Sequence, residues 1–163
     1  IHKPFNSNFS YGAELYKVKK RDFNQRFDFL DYETVTGHLN LQYDFSDFGV
    51  VANLSYGKYL AKDVGYTLDL SRRTESGFVA GIFFSRTNVS AQEFGEGSFD
   101  KGFYFKIPYS LFSKNYNKQN VFFKLRPLTR DGGAKLDTDK RLLDLIGDAT
   151  YKDIYRGWDG FLD

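Results

Sequence analysis

The chain of 163 residues has no cysteine and no methionine, only two histidines and three prolines. Without cysteine there is no disulfide scaffold, no thiolate nucleophile and no Cys-ligated zinc site. The histidines, His2 and His38, lie far apart in sequence and neither has a ligand-like neighbour pattern, so no metal site and no cofactor are expected. Without methionine, Ile1 is not a translation start, and the expectation is a processed product or an inner piece of a longer protein. No run of 18 apolar residues occurs, which excludes a transmembrane helix but not transmembrane strands, whose hydrophobic residues alternate. Charge of one sign is also scarce. The net charge is +2, with basic residues interspersed among acidic ones, so a nucleic-acid partner is not expected.

Aromatic residues are plentiful instead. Eighteen Phe, twelve Tyr and one Trp make up 19% of the chain. Flat rings suit the pleated surface of a strand, and a Tyr also suits a water–lipid boundary, where it offers an apolar ring and a polar tip. The middle of the chain alternates with period two. In Val50–Leu60 one parity holds Val50, Ala52, Leu54, Tyr56 and then Lys58, and the other Val51, Asn53, Ser55, Gly57 and Tyr59. In Val64–Arg72 the sets are Val64, Tyr66, Leu68 and Leu70 against Gly65, Thr67, Asp69 and Ser71. A helix would space its apolar residues by three and four.

Short links join these segments: Ser46-Asp47-Phe48-Gly49 after Gly37–Phe45, Ala61-Lys62-Asp63, and Thr74-Glu75-Ser76-Gly77 before Phe78–Val89. Such links make antiparallel hairpins, so residues 37–90 read as a four-strand meander. Phe9–Val18, Gly102–Ile107 and Asn120–Leu128 read as further strands, the last two limited by Pro108 and Pro127, since proline cannot donate to a ladder. Residues 23–36 fit strand or loop, and 91–98 a Glu/Gly-rich loop. Leu142, Leu145, Ile146 and Ala149 have helical spacing and predict a short helix over 139–148, with Tyr151–Trp158 a candidate last strand. No repeat or linker divides the chain, so residues 1–163 read as a single all-β region of about seven strands.

Alternation does not say whether the apolar face is a core or a lipid-facing surface. Two features favour lipid. The polar parity carries Gly, Ser, Thr, Asn and Asp rather than the long Lys and Glu of a soluble surface. Large aromatics recur near strand ends, at Tyr43, Phe45, Tyr59, Phe78 and Phe84. A soluble sandwich or barrel remains open at this point.

Three charged clusters are candidate sites. Glu93, Glu96, Asp100 and Lys101 lie in Glu93-Phe94-Gly95-Glu96-Gly97-Ser98-Phe99-Asp100-Lys101-Gly102. A glycosidase needs two carboxylates at a set separation, which nothing here fixes; turns with carboxylates pairing to lumenal arginines are the simpler reading. Arg126, Arg130, Asp131 and Lys135 lie around Asp131-Gly132-Gly133, a strong turn signal. The cations suit an anionic sugar or a phosphate, but no GK[ST] ending makes a phosphate loop. Lys17, Lys19, Lys20, Arg21, Asp22, Gln25 and Arg26 run beside Phe23 and Phe27, as on an anionic lipid surface or a solvated loop. No nucleophile-elbow sequence is present.

Four segments carry a family resemblance: Asp31-Tyr32-Glu33-Thr34-Val35-Thr36-Gly37-His38, Leu68-Asp69-Leu70-Ser71-Arg72-Arg73, the 93–102 cluster, and Arg126-Pro127-Leu128-Thr129-Arg130-Asp131-Gly132-Gly133. In this order, over about residues 21–135, they resemble the YjbH/GfcD family. The resemblance implies an outer-membrane β-barrel, or part of a larger one, linked to exopolysaccharide or capsule production in Gram-negative bacteria. It also implies that the chain is the C-terminal portion of a protein several times longer. The family offers no catalytic residues to transfer. The expectation is a non-catalytic barrel component of exopolysaccharide secretion or assembly. Its partners would be outer-membrane lipid, the exopolysaccharide, periplasmic and lipoprotein subunits of the same system, and the remainder of its own chain. Glu93, Glu96, Asp100, Lys101, Arg126, Arg130 and Asp131 are the candidates for a polysaccharide-binding or lumenal network. The alternatives are a polysaccharide-modifying enzyme using the carboxylates at 93–100, or a soluble β-sheet carbohydrate-binding module.

Overall fold

A computed structural model describes residues 2–4, 8–22, 28–89, 99–112, 119–126 and 132–136. They form one antiparallel sheet of eight strands in sequence order, curled like half a barrel. The strands are β1 (His2–Pro4), β2 (Phe9–Arg21), β3 (Phe29–Phe45), β4 (Val50–Lys58), β5 (Val64–Arg73), β6 (Val79–Thr87), β7 (Asp100–Pro108) and β8 (Asn120–Leu125). β1 and β8 do not pair with each other among the described residues.

The meander follows from local chemistry. β-Branched and aromatic residues at alternate positions favour extended backbone, and short polar links reverse it. Gly49 and Gly77 adopt left-handed backbone at φ 62° and 80°, closing the β3–β4 and β5–β6 turns as turn glycines do. Lys62 turns the β4–β5 link at φ 68°. The predicted strands are present, and β3 reaches back to Phe29, through the stretch that fitted strand or loop. An eighth strand, β1, was not predicted; three residues ending in Pro4 are too short to show a period. The helix expected over 139–148 and the strand over Tyr151–Trp158 lie outside the described residues.

β2 and β3, with 13 and 17 residues, project past their neighbours. On this projection Glu33 accepts from Lys17 at 2.5 Å and Lys19 at 3.2 Å, with both lysine side chains more than half exposed. Exposed pairs of this kind are screened by water and contribute little to stability, so this part of the basic run is a solvated face of a hairpin. Gln25, Arg26, Phe23 and Phe27 lie outside the described residues.

The two faces are inverted relative to a soluble sheet. The buried side chains are largely small and polar: Thr34, Thr36, His38, Asn40, Ser55, Thr67, Ser85 and Asp100. The other face leaves Leu15, Leu39, Leu54, Tyr56, Ile82 and Phe103 exposed, Leu39 at 62%. Its apolar rows end in charged residues: Lys17 and Glu33 on β2 and β3, Lys58 on β4, Arg72 on β5, Arg86 on β6 and Lys101 on β7.

Candidate functional site on the concave face

The register puts Gly12, Asn40, Ser55, Thr67, Ser85 and Asp100 side by side across β2 to β7. All point the same way because strand parity is preserved from pair to pair. Ser55 Oγ donates to Asn40 Oδ1 at 2.6 Å, and Thr67 Oγ1 meets Ser85 Oγ at 2.7 Å. Buried hydroxyls need such partners, and each bond contributes about 1 kcal/mol. The adjacent row holds Glu14, His38, Gly57 and Gly65, with Glu14 Oε1 at 3.5 Å from His38 Nδ1.

Tyr59 completes this floor. It is one of the aromatics near strand ends, but its parity is that of Val51, Asn53, Ser55 and Gly57, and it is fully buried on that polar side. It follows Lys58, the last residue of β4, in the same parity as Ser55 and Gly57, and its ring stands edge-on to His38 at 4.7 Å between centroids. Its hydroxyl reaches Thr67 Oγ1 at 2.6 Å, extending the chain of hydroxyls to Ser85. Burial pushes this phenol up to about 12, against the opposing hydrogen bond with Thr67, so the chain is a neutral one at ordinary pH.

At the end of the row, Asp100 is 2% exposed and takes a two-point contact from Arg126: Nε to Oδ1 at 3.1 Å and a terminal nitrogen to Oδ2 at 2.8 Å. Such a fork matches a carboxylate and supports its buried charge. After β8 the chain returns over the concave face. Gly132 and Gly133 are buried. The Gly133 N–H donates to Asp63 Oδ2 at 2.9 Å, and the Leu60 N–H donates to the Ala134 carbonyl at 3.0 Å. A side chain at Gly133 would start 3.1 Å from Ser85 Cβ and 3.5 Å from Asp100 Cβ, and its φ of +71° also favours glycine. Residues 132–136 are thus a strap laid on the polar row.

Further along the wall, two aromatics each cover a glycine on the neighbouring strand. β6 and β7 pair Phe83 with Gly102 and Gly81 with Tyr104. A Cβ at Gly102 would come within 2.7 Å of the Phe83 ring, and one at Gly81 within 2.3 Å of the Tyr104 ring. The Tyr104 hydroxyl crosses β6 to donate to Asp69 Oδ1 on β5 at 2.9 Å.

Of the candidates from sequence, Asp100 and Arg126 are brought together. Lys101 has the opposite parity, with its ammonium 4.9 Å from the centre of the Phe99 ring. Glu93, Glu96, Arg130 and Asp131 lie outside the described residues. Tyr59, Asp63, Gly81 and Tyr104 were not singled out as site residues. The small and polar parity was their one sequence signal, because which residue sits beside which depends on register.

The family model described as "exopolysaccharide biosynthesis protein YbjH" matches residues 1–148. A curated relative from Escherichia coli strain K12, "Uncharacterized lipoprotein YjbH", is 39% identical over 153 residues, covering 91% of this chain and 22% of the relative. The chain belongs to the YjbH family. It spans 22% of the length of that relative. No solved structure matches the chain. Segments 31–38, 68–73 and 93–102, on which the resemblance rested, fall inside the matched range, as does 126–133.

Proposed function

We propose that this chain forms a wall of an outer-membrane β-barrel that serves exopolysaccharide secretion or assembly in a Gram-negative envelope, without catalysing a reaction. The inversion of the two faces carries this reading. A water-soluble sheet buries its apolar face, whereas this one curls around its Ser, Thr, Asn and Asp side chains and turns Leu, Ile, Phe and Tyr outward. Lipid is the environment in which that arrangement is stable. β4, β6 and β7 have nine residues each and β5 ten, the length a tilted strand needs to cross a bilayer. The charged residues that end the apolar rows sit where the water boundary would be. The family's description supplies exopolysaccharide as the system, and the relative's name, a lipoprotein, fits an envelope location. In this reading the partners are lipid, exopolysaccharide, periplasmic and lipoprotein subunits, and the rest of a longer polypeptide. A non-catalytic role is supported by Asp100, whose buried carboxylate is engaged by Arg126 rather than open to a glycosidic oxygen.

The test is fractionation of cells carrying the full-length protein, followed by electrophoresis with and without heating. A barrel is expected in the outer-membrane fraction, requires detergent, and changes its migration on heating. A protein that stays in solution without detergent and migrates identically in both lanes would overturn the reading.

A further inference from the structure

On the concave face, β7 and β8 place two aromatics and two cations in a checkerboard. The register pairs Tyr104 with Lys124 and Lys106 with Phe122. The rings therefore lie on one diagonal, with centroids 5.9 Å apart and planes 39° from parallel, and the lysines on the other. Both diagonals belong to the polar face, because Tyr104 shares its parity with Asp100 and reaches Asp69, and Lys124 lies over Phe83 at 4.8 Å.

The Tyr104 ring is held in place. Its tip rests on the backbone of Gly81, where any side chain would collide with it, and its hydroxyl is tied to Asp69. Phe122 is 61% exposed on a largely polar face where two further aromatics, Tyr59 and Phe83, are buried. An aromatic ring open to water beside an anchored one, with a lysine paired across the strands to each, is suited to a flat ligand with a C–H face and an anionic edge. A pyranose ring carrying a carboxylate has that form: its C–H face stacks on the aromatics while its carboxylate meets the lysines.

We propose that Tyr104, Phe122, Lys106 and Lys124 form a binding platform for an acidic saccharide. The proposal rests on the reading that the concave face lines an exopolysaccharide conduit, and it adds the residues and the charge of the sugar. Tyr104 and Phe122 supply stacking area at little cost in side-chain entropy. The lysines select carboxylated over neutral units.

The test is calorimetric titration of the full-length protein in detergent with tetragalacturonate and with neutral maltotetraose. Saturable binding of the acidic probe is expected, with roughly tenfold preference over the neutral one, from two partly exposed charge contacts. Phe122→Ala should weaken the acidic probe by up to about tenfold, the scale of one lost aromatic stack. Lys106→Gln with Lys124→Gln should abolish the preference and its salt dependence while the neutral probe is unaffected. Equal affinity for both probes, no binding of either, or variants that bind as the wild type does would overturn the proposal. Heat-dependent migration is read on the same samples. A barrel that migrates normally but binds nothing refutes the platform alone. A detergent-independent protein that still selects the acidic probe through Phe122 refutes the barrel and supports the platform.

Discussion

Asp100 carries a charge almost out of water, and Arg126 is the group the structure places on both of its oxygens. Removing Arg126 leaves the Asp100 carboxylate buried and without its partner, which costs more than the pair contributes. Arg126→Leu in the full-length protein should therefore destabilise the barrel by about 3 kcal/mol. Asp100→Asn combined with Arg126→Leu should restore most of that, because no charge is left stranded. The temperature at which the heat-dependent migration changes is the measurement. If single and double variants melt together, the pair is not the energetic unit. At this scale the sequence was partly legible. Asp100 and Arg126 were both candidates, and pairing of lumenal carboxylates with arginines was the simpler reading of the acidic cluster. The side taken by Tyr59 was legible, since it continues the parity of Ser55 and Gly57 where Tyr43 and Phe45 have the apolar one. Its contacts with His38 and Thr67 were not, because they depend on register and on the path of the chain after Lys58.

Hairpins were the most legible elements, because period-two alternation and short polar links both lie within a few residues of one another in sequence. Cross-strand pairs were not, since they depend on register between segments that alternation alone can slide by two residues. The glycines illustrate this. Gly57 and Gly81 look alike in sequence, but their surroundings differ. A Cβ at Gly57 would stand 2.0 Å from the Gly37 carbonyl oxygen and 2.8 Å from His38 Cα, both backbone atoms of the paired strand. A Cβ at Gly81 would meet the tip of the Tyr104 ring, which can swing away. Gly57→Val should prevent assembly, leaving little or no heat-modifiable species. Gly81→Ala should assemble but lose the Tyr104–Asp69 hydrogen bond, with a penalty of about 1 kcal/mol. The folded fraction recovered in membranes distinguishes the two, and equal yields would contradict the close backbone approach at Gly57.

For the whole molecule, the pattern of residues left one ambiguity that only curvature removes. Two faces of opposite polarity are visible in the sequence, but the direction of curl depends on the twist and stagger of many strands together. Once the polar face is the concave one, the apolar face has no protein element against it among the described residues, and its solvent becomes a measurable quantity. Leu41 and Gln42 are neighbours in β3 with opposite parity; Leu41 points outward at 43% exposure, and Gln42 points to the concave side opposite Asn53. If the outer face meets hydrocarbon, Leu41→Arg places a cation in lipid and should cost about 2–4 kcal/mol near the midplane. Gln42→Arg on the wet side should stay within about 0.5 kcal/mol, as surface substitutions usually do. If the outer face met water, Leu41→Arg would also be an ordinary surface change of about 0.5 kcal/mol or less. Urea unfolding of the full-length protein in phospholipid vesicles, with both variants measured beside the wild type, reads the difference. A large loss confined to Leu41→Arg supports the lipid-facing barrel, and equal small effects would put the apolar face in water and end that reading.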